Sequence, residues 1–222
     1  FGATDLTRAR LKRVAYRPLR SAVRACASAA DQVIATDRVL LPVVLQSLPV
    51  TRARVRLVPN AIALTELDAF VNAAAASELR RQLGLGEGEP LLLSVGRIEE
   101  NKGFQVLVEA LARIDTDSGS LAGRSGWRWV LVGDGPYRAR LERAVRRAGL
   151  ADRVVLTGRV DEAELHAWYE AASLFVHPTL YEGSSLVTLE AMAHRLAVIA
   201  TRAGGLPDKV KPGVNGWLVE PG

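Results

Sequence analysis

The sequence predicts an α/β protein built on a doubly wound parallel sheet, and three observations predict it. From about residue 61 onward, short apolar runs alternate with amphipathic stretches of helical length. The first of these runs, Leu91–Val95, is the continuous kind that a strand covered on both faces needs. Glycines cluster where such strands end, as at Gly96, at Gly133 and Gly135, and at Gly204 and Gly205. Ligands of these sheets bind beyond the carboxyl ends of the strands. The loops after Val95, Val132, Leu156, Val176 and Ala200 are therefore the ones expected to carry function.

Each element follows from local pattern. Residues 6–29 are expected to be helical, interrupted at Pro18. Ala15, Leu19, Ala22 and Cys26 make an apolar stripe suited to packing on a neighbouring sheet, and Arg13, Arg17, Arg20 and Arg24 make a basic one. Gln32–Ala35 is a short strand, residues 38–47 a helix weakened by Pro42, and Val55–Val58 a strand closed by Pro59 and Asn60. After Leu91–Val95 come a helix at 103–114, a strand at Trp129–Val132 and a helix to about 148. Val154–Leu156 precedes a helix at 162–172, and Leu174–Val176 precedes one near 185–194. Ala197–Ala200 leads to a short helix from Pro207, and Gly216–Val219 is the last strand. The Gly- and Ser-rich stretch Asp115–Gly126 reads as a mobile surface loop.

At about 150 residues per domain, 222 residues amount to one and a half domains. A composition of 49% hydrophobic and 24% charged residues is that of a globular chain. A lone cysteine, Cys26, excludes an internal disulfide framework and points to a reducing, cytoplasmic setting. No apolar run reaches the ~18 residues of a membrane span, and no secretory signal opens the chain. Position 1 is Phe and the sole methionine is Met192, so the sequence reads as an excised piece or as one not numbered from its start codon.

The net charge of +5 is uneven: +8 over residues 1–60 and −3 over the remainder. Two readings stand side by side. One is an arginine-rich composition, with 25 Arg against 4 Lys, and solvated charge. The other is a peripheral contact of residues 8–24 with the inner, anionic face of a membrane. Nucleic acid is not expected as a partner.

Four loops hold the candidate chemistry. In Ser94–Phe104, Gly96 permits a tight turn, and Arg97 and Lys102 sit beside a helix N-terminus, which makes an anion site. The bland alternative is charge balanced by Glu99 and Glu100. Val132–Tyr137 contains G-x-G before a helix, but Arg138 stands where a dinucleotide fingerprint has its third glycine. The nearest acid, Asp152, precedes the next strand instead of ending it, so this is a tight, phosphate-tolerant turn. In His177–Met192, Glu182 lies in the loop, and Gly183, Ser184 and Ser185 open a helix with serine as N-cap. Glu190 follows within that apolar helix, where a carboxylate needs a partner: His194 one turn on, or a ligand hydroxyl. Arg202–Asp208 pairs glycines with a proline at a helix start.

These residues resemble the retaining glycosyltransferases of family 4, with the GT-B fold. The matching segments are Ser94–Gly103, Val132–Pro136, Glu182-x7-Glu190 with Glu190–Ala193, Ala203–Asp208 and Asn215–Gly222, in family order. Ala30–Asp37 and Val55–Ile62 look like the tail of the family's N-terminal domain and its crossover. The resemblance implies that residues 61–222 form a Rossmann-like donor domain and residues 1–60 the rear of an incomplete acceptor-side domain. It implies a UDP- or GDP-sugar donor, transfer with retention and no metal. The acceptor would be lipid-linked, a glycan or a small molecule.

By matching position, Arg97, Lys102 and Glu182 are the expected catalytic residues: the two cations bind the diphosphate and Glu182 the transferred sugar. Gly96 shapes the loop, Gly183, Ser184, Ser185 and Leu186 offer backbone groups to sugar and phosphate, Glu190 binds the ribose, and Val160 lies near the base. The family's acceptor pocket, Gly-rich loop and N-terminal histidine would precede residue 1, and His166, His177 and His194 do not match that histidine. Arg195 and Ala197 replace a usual Gly and Pro after the second glutamate's helix, which puts the local turn in question, and Ala61 replaces a Gly. Three rivals remain: a non-catalytic nucleotide-sugar binding fragment, an NAD enzyme using Gly133 and Gly135, and a metal-dependent transferase using Asp115-Thr116-Asp117.

Overall fold

A computed structural model of the chain describes residues 17–116 and 126–222. The chain divides between Pro59 and Asn60 into two compact units. The first contains α1 (Arg17–Ala29), β1 (Val33–Ala35), α2 (Leu40–Ser47), a 3₁₀ turn at Arg52–Arg54 and β2 (Val55–Leu57). β1 and β2 run parallel, with Val33 opposite Val55 and Ala35 opposite Leu57. Arg54 closes the end of α1 by donating from Nη2 to the carbonyls of Ala27, Ser28 and Ala30.

The first helix corrects one expectation. The described helix begins at Arg17 with Pro18 as its second residue, and residues 6–16 of the expected helix lie outside the described residues. The stripe of Leu19, Ala22 and Cys26 packs on no sheet. All three are exposed, Leu19 at 56%, and only Ala27 of this helix is buried. Ala15, the other member of the stripe, lies outside the described residues, as do Arg8 and Arg13.

The second unit begins with α3 (Leu64–Asp68) and α4 (Ala73–Gln82) and then winds a six-stranded sheet. Its strands are β3 (Leu91–Val95), β4 (Arg128–Val132), β5 (Val154–Gly158), β6 (Leu174–His177), β7 (Val198–Thr201) and β8 (Gly216–Val219). Between them lie α5 (Phe104–Thr116), α6 (Arg138–Arg147), α7 (Glu162–Ala171), α8 (Leu186–Ala193) and α9 (Leu206–Lys209). The loop expected at Asp115–Gly126 gives up its first two residues to α5, and 117–125 lie outside the described residues. So does Asp117 of the D-x-D.

The order across the sheet is β5-β4-β3-β6-β7-β8, and every neighbouring pair is parallel. The chain winds from β3 outward to β5, crosses back, and continues from β6 to β8 on the other side. The reversal falls between β3 and β6, and the crevice of an open parallel sheet lies at such a switch point. Both faces are covered. Leu91, Leu93 and Val95 pack with Tyr169, Trp168 and Leu206 on one side, while Leu92, Trp129 and Leu131 pack with Phe104, Leu111 and Leu141 on the other. Ser94, buried in β3, is satisfied twice: its hydroxyl donates to Val176 O at 2.6 Å and accepts from Trp129 Nε1 at 3.1 Å.

The two helices before β3 were not expected from the sequence. In α4 Ala76 is buried, and Leu79 and the C-capping Leu83 pack half-buried against the same core. Polar contacts add to this short apolar stripe. Asn72 caps the helix by accepting from Ala75 N at 3.0 Å, and Arg80 donates to Ala171 O on α7 and to Glu89 O.

The questioned turn after α8 is regular. Arg195 is the sole non-glycine with positive φ among the described residues, at +60°. Arg195 N bonds Met192 O and Leu196 N bonds Ala191 O, which completes a Schellman cap. The arginine therefore adopts the left-handed conformation that glycine takes without cost, at an expense of about 1 kcal/mol. The turn fixes the end of the helix that carries Glu190.

Candidate functional site

Because the strands are parallel, the loops after β3, β6 and β7 emerge at the same edge, and backbone contacts clamp them together. Asn101 O accepts from Leu180 N at 2.8 Å, Tyr181 N at 3.3 Å and Thr179 Oγ1 at 3.2 Å. At Gly103 (φ +70°) a Cβ would lie 1.9 Å from Pro178 O. At Gly204 (φ +49°) it would lie 1.8 Å from Glu182 O, and Gly205 N donates to Gly183 O at 2.9 Å. No side chain fits at either glycine, so the three loops close on one another as bare backbone.

Lys102 and Glu182 meet across the switch point, Nζ to Oε2 at 2.9 Å, with side chains 20% and 12% exposed. The same oxygen accepts from His177 Nε2 at 2.9 Å, and Oε1 accepts from Gly183 N at 3.0 Å. Burial acts to raise the Glu182 pKa, but the hydrogen bonds and charges of His177 and Lys102 outweigh it and hold the carboxyl at about 2, below the ordinary 4.5.

Arg97 does not join this cluster. Its guanidinium is 74% exposed and pairs with Glu99 at 2.6 Å, so the expected two-cation site is one half-buried lysine and one solvated arginine. Gly96 makes its turn at φ +153°.

Ser185 is the N-cap of α8, accepting from Thr188 N at 3.3 Å, as its sequence context suggests. Ser184 Oγ accepts from Asn60 Nδ2 at 3.0 Å and from Lys209 Nζ at 3.1 Å. Leu186 is exposed, and Val160, half-buried, packs against the core.

Glu190 is not paired with His194. Its Oε2 accepts from Tyr169 Oη at 2.9 Å, a buried hydroxyl of α7 whose pKa is pushed well up by burial and by the neighbouring carboxylate. His194 turns instead to His166, at 2.9 Å, and to Glu170, at 3.3 Å.

The glycines of Val132–Pro136 have a packing role. A Cβ on Gly133 would lie 2.0 Å from Gly96 O, and one on Gly135 would lie 2.4 Å from Ile98 O. They let the β4 loop lie against the β3 loop, which accounts for G-x-G without a dinucleotide. A cavity of about 540 Å³ lined by Leu64, Leu67, Val71, Glu170 and His194 shares no residue with the clamped loops.

Sequence reasoning missed four residues here: His177, Tyr169, Lys209 and Asn60. Lys209 carries the signal that singled out Lys102, being one of only 4 lysines in an arginine-preferring chain. Tyr169 and Glu190 are 21 positions apart and meet only through the packing of α7 on α8.

The profile of the family described as Glycosyl transferases group 1 matches residues 89–222. The chain belongs to that family. An uncharacterized glycosyltransferase of Methanocaldococcus jannaschii is 30% identical over 190 residues, which is 86% of this chain and 47% of the relative. Sucrose-phosphate synthase from Thermosynechococcus elongatus is 34% identical with a TM-score of 0.75, over 91% of this chain and 48% of that one. The Anabaena protein HepE in complex with UDP is 27% identical with a TM-score of 0.77, over 92% and 54%; it has also been solved with UDP-glucose. The chain thus spans about half the length of these proteins. Its parallel α/β sheet is the Rossmann-like kind of the GT-B glycosyltransferases.

The depressed Glu182 pKa fixes a pH response. Stability that comes from ionised Glu182 is present in full above about pH 4.5 and is lost as pH falls toward 2. Denaturant unfolding measured between those values should show a stability loss that Glu182→Gln reduces; identical slopes for the two proteins would contradict the assignment.

Proposed function

We propose that the chain binds a nucleoside-diphosphate sugar at the loops after β3, β6 and β7, as the donor-binding part of a retaining, metal-independent hexosyltransferase of family 4. The observation that carries this reading is the Lys102–Glu182 contact of 2.9 Å at the sheet's switch point. It sets a cation suited to a diphosphate beside a carboxylate suited to sugar hydroxyls. The reading is supported by HepE, a relative solved with UDP and with UDP-glucose.

In this reading Lys102 and Arg97 hold the diphosphate, Arg97 by turning from Glu99. Glu182 contacts the transferred sugar, and Glu190, the second glutamate of the Glu-x7-Glu signature, takes the ribose hydroxyls. The backbone of Gly183–Leu186 meets sugar and phosphate, and Val160 lies near the base. Negative charge grows on the departing nucleoside diphosphate, and the cations stabilise it as it forms. The released phosphate helps deprotonate the acceptor on the face it leaves, so the anomeric configuration is kept.

Residues 61–222 act as the donor domain and residues 1–60 as the rear of the acceptor-side domain. The rest of the acceptor pocket would lie outside these 222 residues, which accords with a match to about half of each relative. The acceptor class is lipid-linked, a glycan or a small molecule, and the site of action is the cytoplasm or the inner membrane face. Membrane contact through residues 8–24 is favoured by the exposure of Leu19 (56%) and Val23 (47%) on the helix that carries Arg17, Arg20 and Arg24. Among the described residues no helix is long and apolar enough to cross a membrane. Co-sedimentation with anionic liposomes at low salt is the expected behaviour; a chain left wholly in the supernatant would remove the membrane contact.

A thermal-shift screen of UDP-, GDP- and ADP-sugars should give stabilisation by UDP- or GDP-sugars. By calorimetry Lys102→Ala and Glu190→Ala should each weaken that binding by about 1.5–3 kcal/mol, the range for a hydrogen bond to a charged group. Unchanged affinity in both variants, or tighter binding of a nicotinamide nucleotide, would overturn the reading. Sugar transfer at enzyme-like rates by these 222 residues alone would refute the separation of donor and acceptor sites.

A further inference from the structure

The three donors that hold Glu182 differ in what else they can do. Lys102 is the most accessible, at 20% exposure on a flexible four-carbon stem. Gly183 N–H is fixed by the backbone. His177 is a ring 2% exposed at the last residue of β6, stacked on Phe175 at 6.0 Å and 18°. Nε2 faces Glu182 Oε2, while Nδ1 is buried and has no hydrogen-bond partner among the described residues. Both rings of the His166–His194 pair, by contrast, are bonded to each other. An apolar side chain would fill the His177 site without leaving a bare nitrogen in the core. Among the described residues the imidazole's one polar contact is the bond to Glu182.

We propose that His177 is the positioning residue for Glu182, holding the carboxylate when Lys102 turns from it to the diphosphate of the donor. The inference rests on the donor reading above. A lysine shared between a carboxylate and a diphosphate loosens one contact as it makes the other. Glu182, relieved of its cation, keeps its direction through a ring that packing prevents from following the lysine. Of the Lys102–Glu182 pair, a nucleoside diphosphate without a sugar calls on Lys102 only; a nucleoside-diphosphate sugar calls on Glu182 as well. The two ligands therefore separate a positioning role from a merely structural one.

The test is calorimetric titration of UDP and of UDP-glucose into the wild-type chain and into His177→Gln, His177→Phe and His177→Leu. Thermal unfolding identifies the variants that fold. Glutamine offers an N–H in place of Nε2–H, whereas phenylalanine and leucine fill the space without a donor. Either apolar variant should bind UDP within about twofold of wild type and lose about tenfold on UDP-glucose, with His177→Gln keeping both. Equal losses on the two ligands, no loss on either, or a glutamine variant as impaired as the apolar ones would each overturn the proposal. Where the wild-type chain binds a GDP-sugar instead, the same comparison is made with GDP and that GDP-sugar; a wild-type chain that binds no UDP- or GDP-sugar overturns the donor reading and this inference together, so the two failures are distinguishable.

Discussion

The ion pair between Lys102 and Glu182 is where the fold becomes a site. Its partners are 80 positions apart and sit on loops from β3 and β6, strands that are neighbours because the winding reverses between them. A reversal leaves adjacent strands whose following loops diverge, and the gap between them admits a ligand. Here the gap is bridged by one cation and one carboxylate. Each is mostly shielded from solvent, so their attraction is screened less than a surface pair's would be.

The contact requires a rigid frame. The frame is made of close backbone approaches at Gly103 and Gly204 and of the three hydrogen bonds that converge on Asn101 O. Behind it the sheet is buried on both faces, with Leu91 and Leu93 on one side and Trp129 and Leu131 on the other, each at 0% exposure. Such packing positions groups more finely than a mobile loop can. The strained Arg195 belongs to the same frame: its left-handed turn ends α8 where Leu196 must return to the core.

Strand periodicity and glycine placement made much of this legible in the sequence. The apolar runs from Leu91 to Val219 are strands, and Ser185 caps α8, because these features depend on neighbours in sequence. What depends on packing was hidden. Glu190 reaches across to Tyr169 instead of along its own helix to His194, and Arg97 stays with Glu99 instead of converging on Lys102. The apolar side of α4 is short, Ala76 with half-buried Leu79 and Leu83, and it does not stand out in the sequence. The stripe of α1 is the reverse case: its amphipathic pattern is present, yet its apolar side remains exposed.

The central claim is that Lys102 exchanges Glu182 for the donor's diphosphate while the carboxylate stays in place. A crystal structure of the chain with a bound nucleoside diphosphate tests it most directly. The predicted result is a phosphate oxygen within about 3 Å of Lys102 Nζ. The Lys102–Glu182 distance should lengthen beyond 2.9 Å, with His177 Nε2 still on Glu182. A diphosphate bound at other loops, with Lys102 and Glu182 still 2.9 Å apart, would contradict it.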